Sequence, residues 1–308
     1  PGGRCPLRWL AARGGKGPFM RHEAGRIAAV RGGELFWQSW SPEGEPRAAF
    51  LFIHGLGEHS DRYAHVAQRL VTHGCVCLAF DLRGHGRSTG RRGHMARFDD
   101  YLADVDAARD ALVRQSSPTG QAPPVPLFLL GHSLGGLITL RYLLDKPEGV
   151  AGAVLSSPYL GDVPELAPPK LLDGIARLLS RLWPTVPFKT GIRPEFVSRD
   201  PDVVRAYRDD PQIFDRVTPR FYTETRRTLT EVHAAAASWQ LPLLLMVSGA
   251  DQLVDPAATR RWAAAAPSRW VEYVEWEGFY HEMFNEPLED RERVFQRVEA
   301  WLDGGGLA

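Results

Sequence analysis

The stretch that most limits what this chain can become is Gly131-His132-Ser133-Leu134-Gly135-Gly136. It follows the apolar run Leu127-Phe128-Leu129-Leu130 and opens a helical pattern over Leu137 to Leu144. A serine set between a buried strand and a helix, with glycines on either side, fits a sharp turn in which strand and helix approach closely. Such a turn lifts the serine hydroxyl above the edge of a sheet. It also aims the Leu134 amide and the positive end of the helix at the point where an oxyanion would form. GxSxG alone arises by chance, so its meaning depends on what surrounds it.

The surroundings repeat the same alternation. Continuous apolar runs at 48–53, 75–80, 151–157, 243–248 and 270–276 read as strands buried on both faces. Helical stripes at 63–73, 98–113, 256–266 and 288–302 separate or follow them. Strands alternating with helices predict a mostly parallel sheet with right-handed crossovers, and reactive side chains at the carboxyl ends of the strands. A hairpin over 26–40, turning at Arg31-Gly32-Gly33-Glu34, supplies an antiparallel edge. The polar segment 115–126 reads as a loop.

With 308 residues, the chain has room for one large domain carrying an insertion. The alternation breaks between Pro158 and about Gln240, which places an inserted cap at 161–235 between two parts of the core, 20–160 and 236–303. Inside it Leu171, Leu172, Ile175, Leu178, Leu179, Leu182 and Trp183 share one helical face, away from Asp173, Arg177 and Arg181. Either this stripe packs on the domain below, or part of it faces a pocket or a lipid surface. Residues 1–19, rich in Gly, Pro and Arg without periodicity, read as a leader or tag outside the fold.

Composition narrows the function classes. Lys and Arg total 37 against 37 Asp and Glu, so no global field draws the protein to nucleic acid or to an anionic bilayer. Of the three cysteines, Cys75 and Cys77 fall on one face of a single strand and are badly aimed for pairing; with Cys5 they predict reduced thiols in a cytoplasmic protein. No metal-ligand spacing is present, and no run is long enough to span a membrane.

Serine is a weak nucleophile at its own pKa, so Ser133 needs a base in reach and a third group to orient that base. Asp251 follows the strand 243–248 and a short turn, whereas Asp255 precedes Pro256 at a helix start and reads as an N-cap. Standing alone, Asp251 would read as a turn aspartate satisfying its own backbone. Its place after a late strand makes it the acid candidate. Among ten histidines, His281 lies in a loop beyond the last strand, after Asp251 and before the final helix. His22, His65, His73 and His233 read as surface residues, and His54, His85 and His132 as braces of turns at the active edge. A second oxyanion donor is needed, since losing one commonly costs about 3 to 4 kcal/mol. The turn His54-Gly55-Leu56-Gly57 can aim the Leu56 amide inward, although an ordinary glycine turn reads the same way.

Together, HGLGEHSDRY (54–63), FDLRGHGRSTG (80–90), GHSLGG, SGADQLVD (248–255) and YHEMFNE (280–286) resemble the monoacylglycerol lipase and lysophospholipase group of serine hydrolases, from about Arg26 to Leu302. The resemblance implies an α/β-hydrolase fold, a mostly parallel central sheet flanked by helices, with an inserted helical cap. It implies a Ser133, Asp251 and His281 triad, an oxyanion hole from the Leu56 and Leu134 amides, and Glu58 and Arg62 at the polar, glycerol-binding end of the pocket. It implies no metal or cofactor, a single-chain lipid ester as substrate, and transient contact of the cap with a membrane or micelle. One departure stands out: Phe284 occupies the position where some members carry a second histidine. The implied reaction is ester hydrolysis, monoacylglycerol first, with lysophospholipids or simple esters as alternatives. A proline-iminopeptidase-like amidase and a non-catalytic ligand-binding protein are the rival readings. Dehalogenases and epoxide hydrolases need a carboxylate where Ser133 stands.

Overall fold

Strand burial explains the sheet. A hairpin of β1 (Arg21–Ala28) and β2 (Glu34–Ser41) pairs antiparallel, Arg21 opposite Ser41 and Ala28 opposite Glu34. Its turn contains three consecutive residues of positive φ, Arg31, Gly32 and Gly33. Behind it come β3 (Ala48–Ile53), β4 (Cys75–Phe80), β5 (Leu127–His132) and β6 (Gly152–Ser156), every residue of which is buried. The insertion holds a two-residue ribbon, β7 (Phe188–Lys189) with β8 (Arg216–Val217), and the sheet resumes with β9 (Leu243–Ser248) and β10 (Val271–Trp276). The order is β1-β2-β4-β3-β5-β6-β9-β10, parallel from β4 onward. This computed structural model describes residues 20–116, 125–166 and 170–306. The segment 1–19 with Cys5, most of the loop expected at 115–126, and the side chains of Leu171 and Leu172 lie outside the described residues.

Alternate side chains of each strand feed two separate cores, as the period of two requires. Ala49, Leu51 and Ile53 point to the face covered by α2 (Asp99–Ser116), α3 (Leu134–Asp145), α6 (Pro219–Ala234) and α7 (Pro256–Ala265). Ala48, Phe50 and Phe52 point to the face covered by α1 (Ala64–Thr72) and α8 (Leu288–Trp301). Burying one such Leu or Phe is worth about 1.5 to 3 kcal/mol, so the two layers hold the sheet rigid from both sides. Cys75 and Cys77 both join the second layer as free thiols. Burial pushes the Cys75 thiol up to about 12 and the Cys77 thiol well above its usual value.

The insertion between β6 and β9 carries α4 (Lys170–Leu182), α5 (Pro201–Asp209) and α6. Of these, α6 is anchored in the main core through Phe221, Leu229 and Val232. Within the amphipathic stripe of α4, Ile175, Leu178, Leu182 and Trp183 do not pack on the domain below. The polar side of the helix faces α6: Ser180 Oγ meets Thr223 Oγ1 at 2.8 Å, and the Tyr222 hydroxyl donates to Asp173. Ile175, Leu178, Leu182 and Trp183 are left 44 to 59 % exposed, with Val186 and Phe188 beside them. No helix among the described residues is long and apolar enough to cross a membrane.

One close approach fixes how α3 sits on the sheet. A Cβ on Gly135 would lie 1.9 Å from the Ile53 carbonyl oxygen, backbone that cannot swing aside. Gly135→Ala is expected to lower stability by about 3 kcal/mol, read as a drop in the urea midpoint at constant m value; an unchanged midpoint would refute the close packing.

Candidate active site

Ser133 joins β5 to α3 with φ 51° and ψ −118°, a conformation that L residues rarely hold. Strain of this kind costs about 1 to 3 kcal/mol and persists only where the surroundings enforce it. Here the Ser133 amide donates to the Ser156 carbonyl at 3.1 Å, while the Ser133 carbonyl accepts from Gly136 at 2.9 Å and Tyr159 at 2.8 Å. Side chains cannot crowd the turn, because a Cβ on Gly131 would meet Thr139 Oγ1 at 2.5 Å. The result is a hydroxyl presented at the carboxyl edge of the sheet.

The turn after β9 sets Asp251 so that both readings of it hold at once. Its Oδ1 accepts from the Leu253 and Val254 amides at 2.8 and 3.1 Å, the role of a turn aspartate. Its Oδ2 sits 2.6 Å from His281 Nδ1, which donates. Asp255 caps α7, accepting from the Ala257 amide at 2.9 Å ahead of Pro256. With Nδ1 protonated toward Asp251, His281 keeps Nε2 as its basic nitrogen. Burial pulls the His281 pKa down, but the charge and hydrogen bond of Asp251, then Glu282 and Glu58, outweigh it and hold the group above its ordinary value of 6.5.

Ser133, Leu134, Leu56, Glu58 and His281 line one cavity of about 490 Å³ under the cap. In this resting arrangement no hydrogen bond joins Ser133 to His281 among the described residues, a contact that commonly tightens only once substrate is bound. The Leu56 turn crosses close over the serine, since a Cβ on Gly55 would be 3.2 Å from Ser133 Cβ. His54 braces that turn, its Nδ1 donating to the Gly55 carbonyl at 2.8 Å and its Nε2 accepting from the Leu82 amide at 2.9 Å. His85 and His132 hold carbonyls in the same manner, at Arg83 and Ser156. Burial pulls His85 to about 3 and His132 to about 4, so both stay neutral.

Arg62 is not brought to the cavity wall. Its guanidinium lies behind it, with Nη1 on Glu58 Oε2 at 2.9 Å and a two-bond fork onto Glu282 at 2.6 Å each. Glu58 faces the cavity while its Oε1 accepts from the Gly55 amide at 2.6 Å and the Tyr63 hydroxyl at 2.9 Å. Burial raises its pKa, but the Arg62 guanidinium, with the Gly55 amide, outweighs this and holds the carboxyl well below its usual range. Two wall residues escaped the reading of the sequence. Glu282 follows His281 directly, a signal available in YHEMFNE, whereas Tyr207 comes from α5 and carried no local signal. Phe284 packs against Phe295, ring centroids 5.5 Å apart. His65, expected at the surface, is half-buried; its ring nitrogen meets the Phe284 carbonyl at 2.9 Å and burial lowers its pKa to about 4. His73 and His233 are also half-buried, while His22 is exposed. Among the described residues no group of three or more His, Cys, Asp or Glu is arranged to hold a metal ion.

A parallel sheet of this order, with the serine on a strained strand-to-helix turn at its carboxyl edge, defines an α/β-hydrolase-fold serine hydrolase. Residues 44–288 match the family described as serine aminopeptidase, S33, and the chain belongs to that family. It is 32 % identical to phospholipase YtpA of Bacillus subtilis, over 86 % of this chain and 98 % of the relative. It is also 32 % identical to the monoacylglycerol lipase of Mycolicibacterium smegmatis, over 90 % of this chain and 95 % of that one. The crystal structure of Paleococcus ferrophilus monoacylglycerol lipase superposes with a TM-score of 0.74 at 30 % identity, covering 92 % of this chain and 98 % of that chain.

The elevated His281 pKa has a signed consequence. Only the neutral imidazole accepts a proton, so kcat/KM is expected to fall as pH drops through a midpoint above 6.5. Asp251→Asn should move that midpoint down and reduce kcat by roughly 10³–10⁴-fold. Stability runs the other way: the contribution of His281 is fully present below its unfolded pKa and is lost as pH rises through the folded one. A wild-type acid limb at or below 6.5 would contradict the assignment.

Proposed function

We propose that the protein hydrolyses carboxylic esters of single-chain lipids, monoacylglycerol to fatty acid and glycerol first among them, through an acyl-enzyme on Ser133. The observation that carries this is the Asp251–His281 pair at 2.6 Å beside Ser133, in a cavity with carboxylates at one end and an apolar wall of Leu166, Ile192, Val197, Phe221 and Leu253 elsewhere. A cavity of about 490 Å³ suits one acyl chain and a small polar head. Similarity to the Mycolicibacterium monoacylglycerol lipase supports the same substrate class.

In this mechanism His281 Nε2 takes the Ser133 proton as Oγ attacks the ester carbonyl, and Asp251 stabilises the imidazolium. The Leu56 and Leu134 amides hold the tetrahedral oxyanion. His281 protonates the departing glycerol oxygen, then activates the water that releases the fatty acid. Glu58 accepts hydrogen bonds from the glycerol hydroxyls, and Arg62 acts on the head through Glu58 and Glu282. The outward apolar face of α4, ending in Trp183, would dip transiently into a membrane or micelle where such substrates reside. Two buried free thiols fit a reducing, cytoplasmic setting.

Glu58 and Glu282 also favour a second reading, an aminopeptidase that grips a free ammonium, in keeping with the family's description. A substrate panel separates the two. Monoacylglycerols and p-nitrophenyl esters should turn over at least tenfold faster than prolyl arylamides or triacylglycerol emulsions. Ser133→Ala should abolish both turnover and fluorophosphonate labelling, with a loss of at least about 10³-fold. Faster cleavage of the amide or of the triacylglycerol would overturn the proposal.

A further inference from the structure

We propose that Glu282 fixes the charge of the head-group end of the cavity, so that the site admits esters of small neutral or cationic alcohols and turns away those bearing a phosphate or another anion. This rests on the ester-hydrolase reading and adds a selectivity to it.

Charges at this end of the cavity do not balance. Glu58 and Glu282 both line the cavity and are only 3 and 5 % exposed. A single guanidinium serves them: Arg62 Nη1 is shared between Glu58 Oε2 and Glu282 Oε1, and Nη2 goes to Glu282 Oε2. Asn285 Nδ2 completes Glu282 Oε2 at 2.9 Å, but an amide brings no charge. The other titratable groups around these two are His54 and Tyr63 around the β3–α1 connection, His132 at the end of β5, Tyr207 on α5, and His281 itself; elsewhere on the wall Asp162 and Glu165 are offset by Arg226 and Lys189, with Arg226 on Asp162 at 3.2 Å. Burial keeps His54 and His132 neutral, and burial with the nearby carboxylates keeps Tyr63 and Tyr207 neutral. One carboxylate of the two is therefore left without a resident cation, and Asp251 is engaged by His281.

Burying an unbalanced carboxylate is expensive. The bonding pattern indicates what it receives in return. Glu58 Oε2 and Glu282 Oε1 each accept one protein hydrogen bond, from the same Arg62 nitrogen, whereas their partner oxygens each accept two. Both carboxylates nonetheless line the cavity, and a carboxylate can accept more bonds than these, so each can take a further one from a hydroxyl or ammonium donor. A phosphate brings no donor when ionised and adds a third negative charge. At the effective dielectric of about 20 that describes partly buried sites, such a like-charge approach is disfavoured on the order of tenfold or more.

The test uses a reporter independent of the natural substrate. Hydrolysis of p-nitrophenyl butyrate is inhibited competitively by three non-hydrolysable ethers of equal chain length: an alkylglycerol, its 3-phosphate, and an alkyl trimethylammonium ethanol ether. In the wild type the phosphate should bind at least tenfold more weakly than the glycerol ether, and the cation at least as tightly. In Glu282→Gln, with folding checked by circular dichroism, the phosphate-to-glycerol ratio should shrink at least fivefold. A ratio of constants cancels any general loss of activity, and a purely structural Glu282 would leave it unmoved. Equal binding of phosphate and glycerol ethers by the wild type overturns the proposal even if the variant fails to fold; an unchanged ratio in a folded variant overturns it as well. Failure to hydrolyse monoacylglycerol, with the charge order intact, would instead sink the lipase reading alone.

Discussion

The left-handed backbone at Ser133 is the constraint on which the rest of the site depends. A residue with φ 51° relaxes unless it is held, and three elements hold it: β6 through Ser156, the start of α3 through Gly136, and the chain leaving β6 through Tyr159. Those contacts survive only while α3 lies flat on the sheet, which the missing side chain at Gly135 permits against the Ile53 carbonyl. Because Ile53 ends β3 and begins the turn carrying Leu56, the same approach brings both oxyanion candidates to the serine. One steric fact thus couples the nucleophile and the donors proposed to hold its oxyanion.

Electrostatics around His281 show a second coupling. Removal from water disfavours the imidazolium, and left alone the ring would be a poor acceptor for the serine proton. Asp251 corrects this directly, and Glu282 and Glu58 add to it from the cavity wall. The neighbouring His132 ring, 4.7 Å away centre to centre, stays neutral and does not compete for the charge. Two carboxylates of the cavity wall therefore also bias the His281 ring, so in the proposed mechanism binding and proton transfer share the same charges.

The central strands were legible because each is buried on both faces and so reads as an unbroken apolar run; 48–53, 75–80 and 243–248 coincide with β3, β4 and β9, whereas 270–276, read in the same way, is the edge strand β10, none of whose residues is fully buried. Boundaries slipped where glycine hides periodicity: α3 starts at Leu134, three residues before the apolar pattern becomes visible, because Gly135 and Gly136 contribute no side chain to it. Orientation was not legible for α4. A stripe shows that two faces differ, not which one turns inward, and the decision lies in Ser180 and Asp173 meeting residues of α6 more than forty positions away. Arg62 misled for a related reason. Its motif placed it beside the pocket, but its partner Glu282 stands 220 residues along the chain, and that fork draws the guanidinium behind the wall.

Insertion and core meet at the turns that carry Asp251 and His281. Val197, Val203 and Tyr207 of the insertion form a small apolar cluster with Leu253, whose amide bonds Asp251. The Glu282 amide donates to the Val197 carbonyl at 2.8 Å, and His59 reaches Asp210 at 2.9 Å. This part of the insertion cannot lift away without disturbing the acid turn and the loop that carries His281. By contrast α4 joins its surroundings mainly through α6 and leaves its apolar side in water. No described residue of α4 lines the cavity, whereas Tyr207 of α5 and the two carboxylates do, so the part of the insertion tied to the core is also the part that shapes the site.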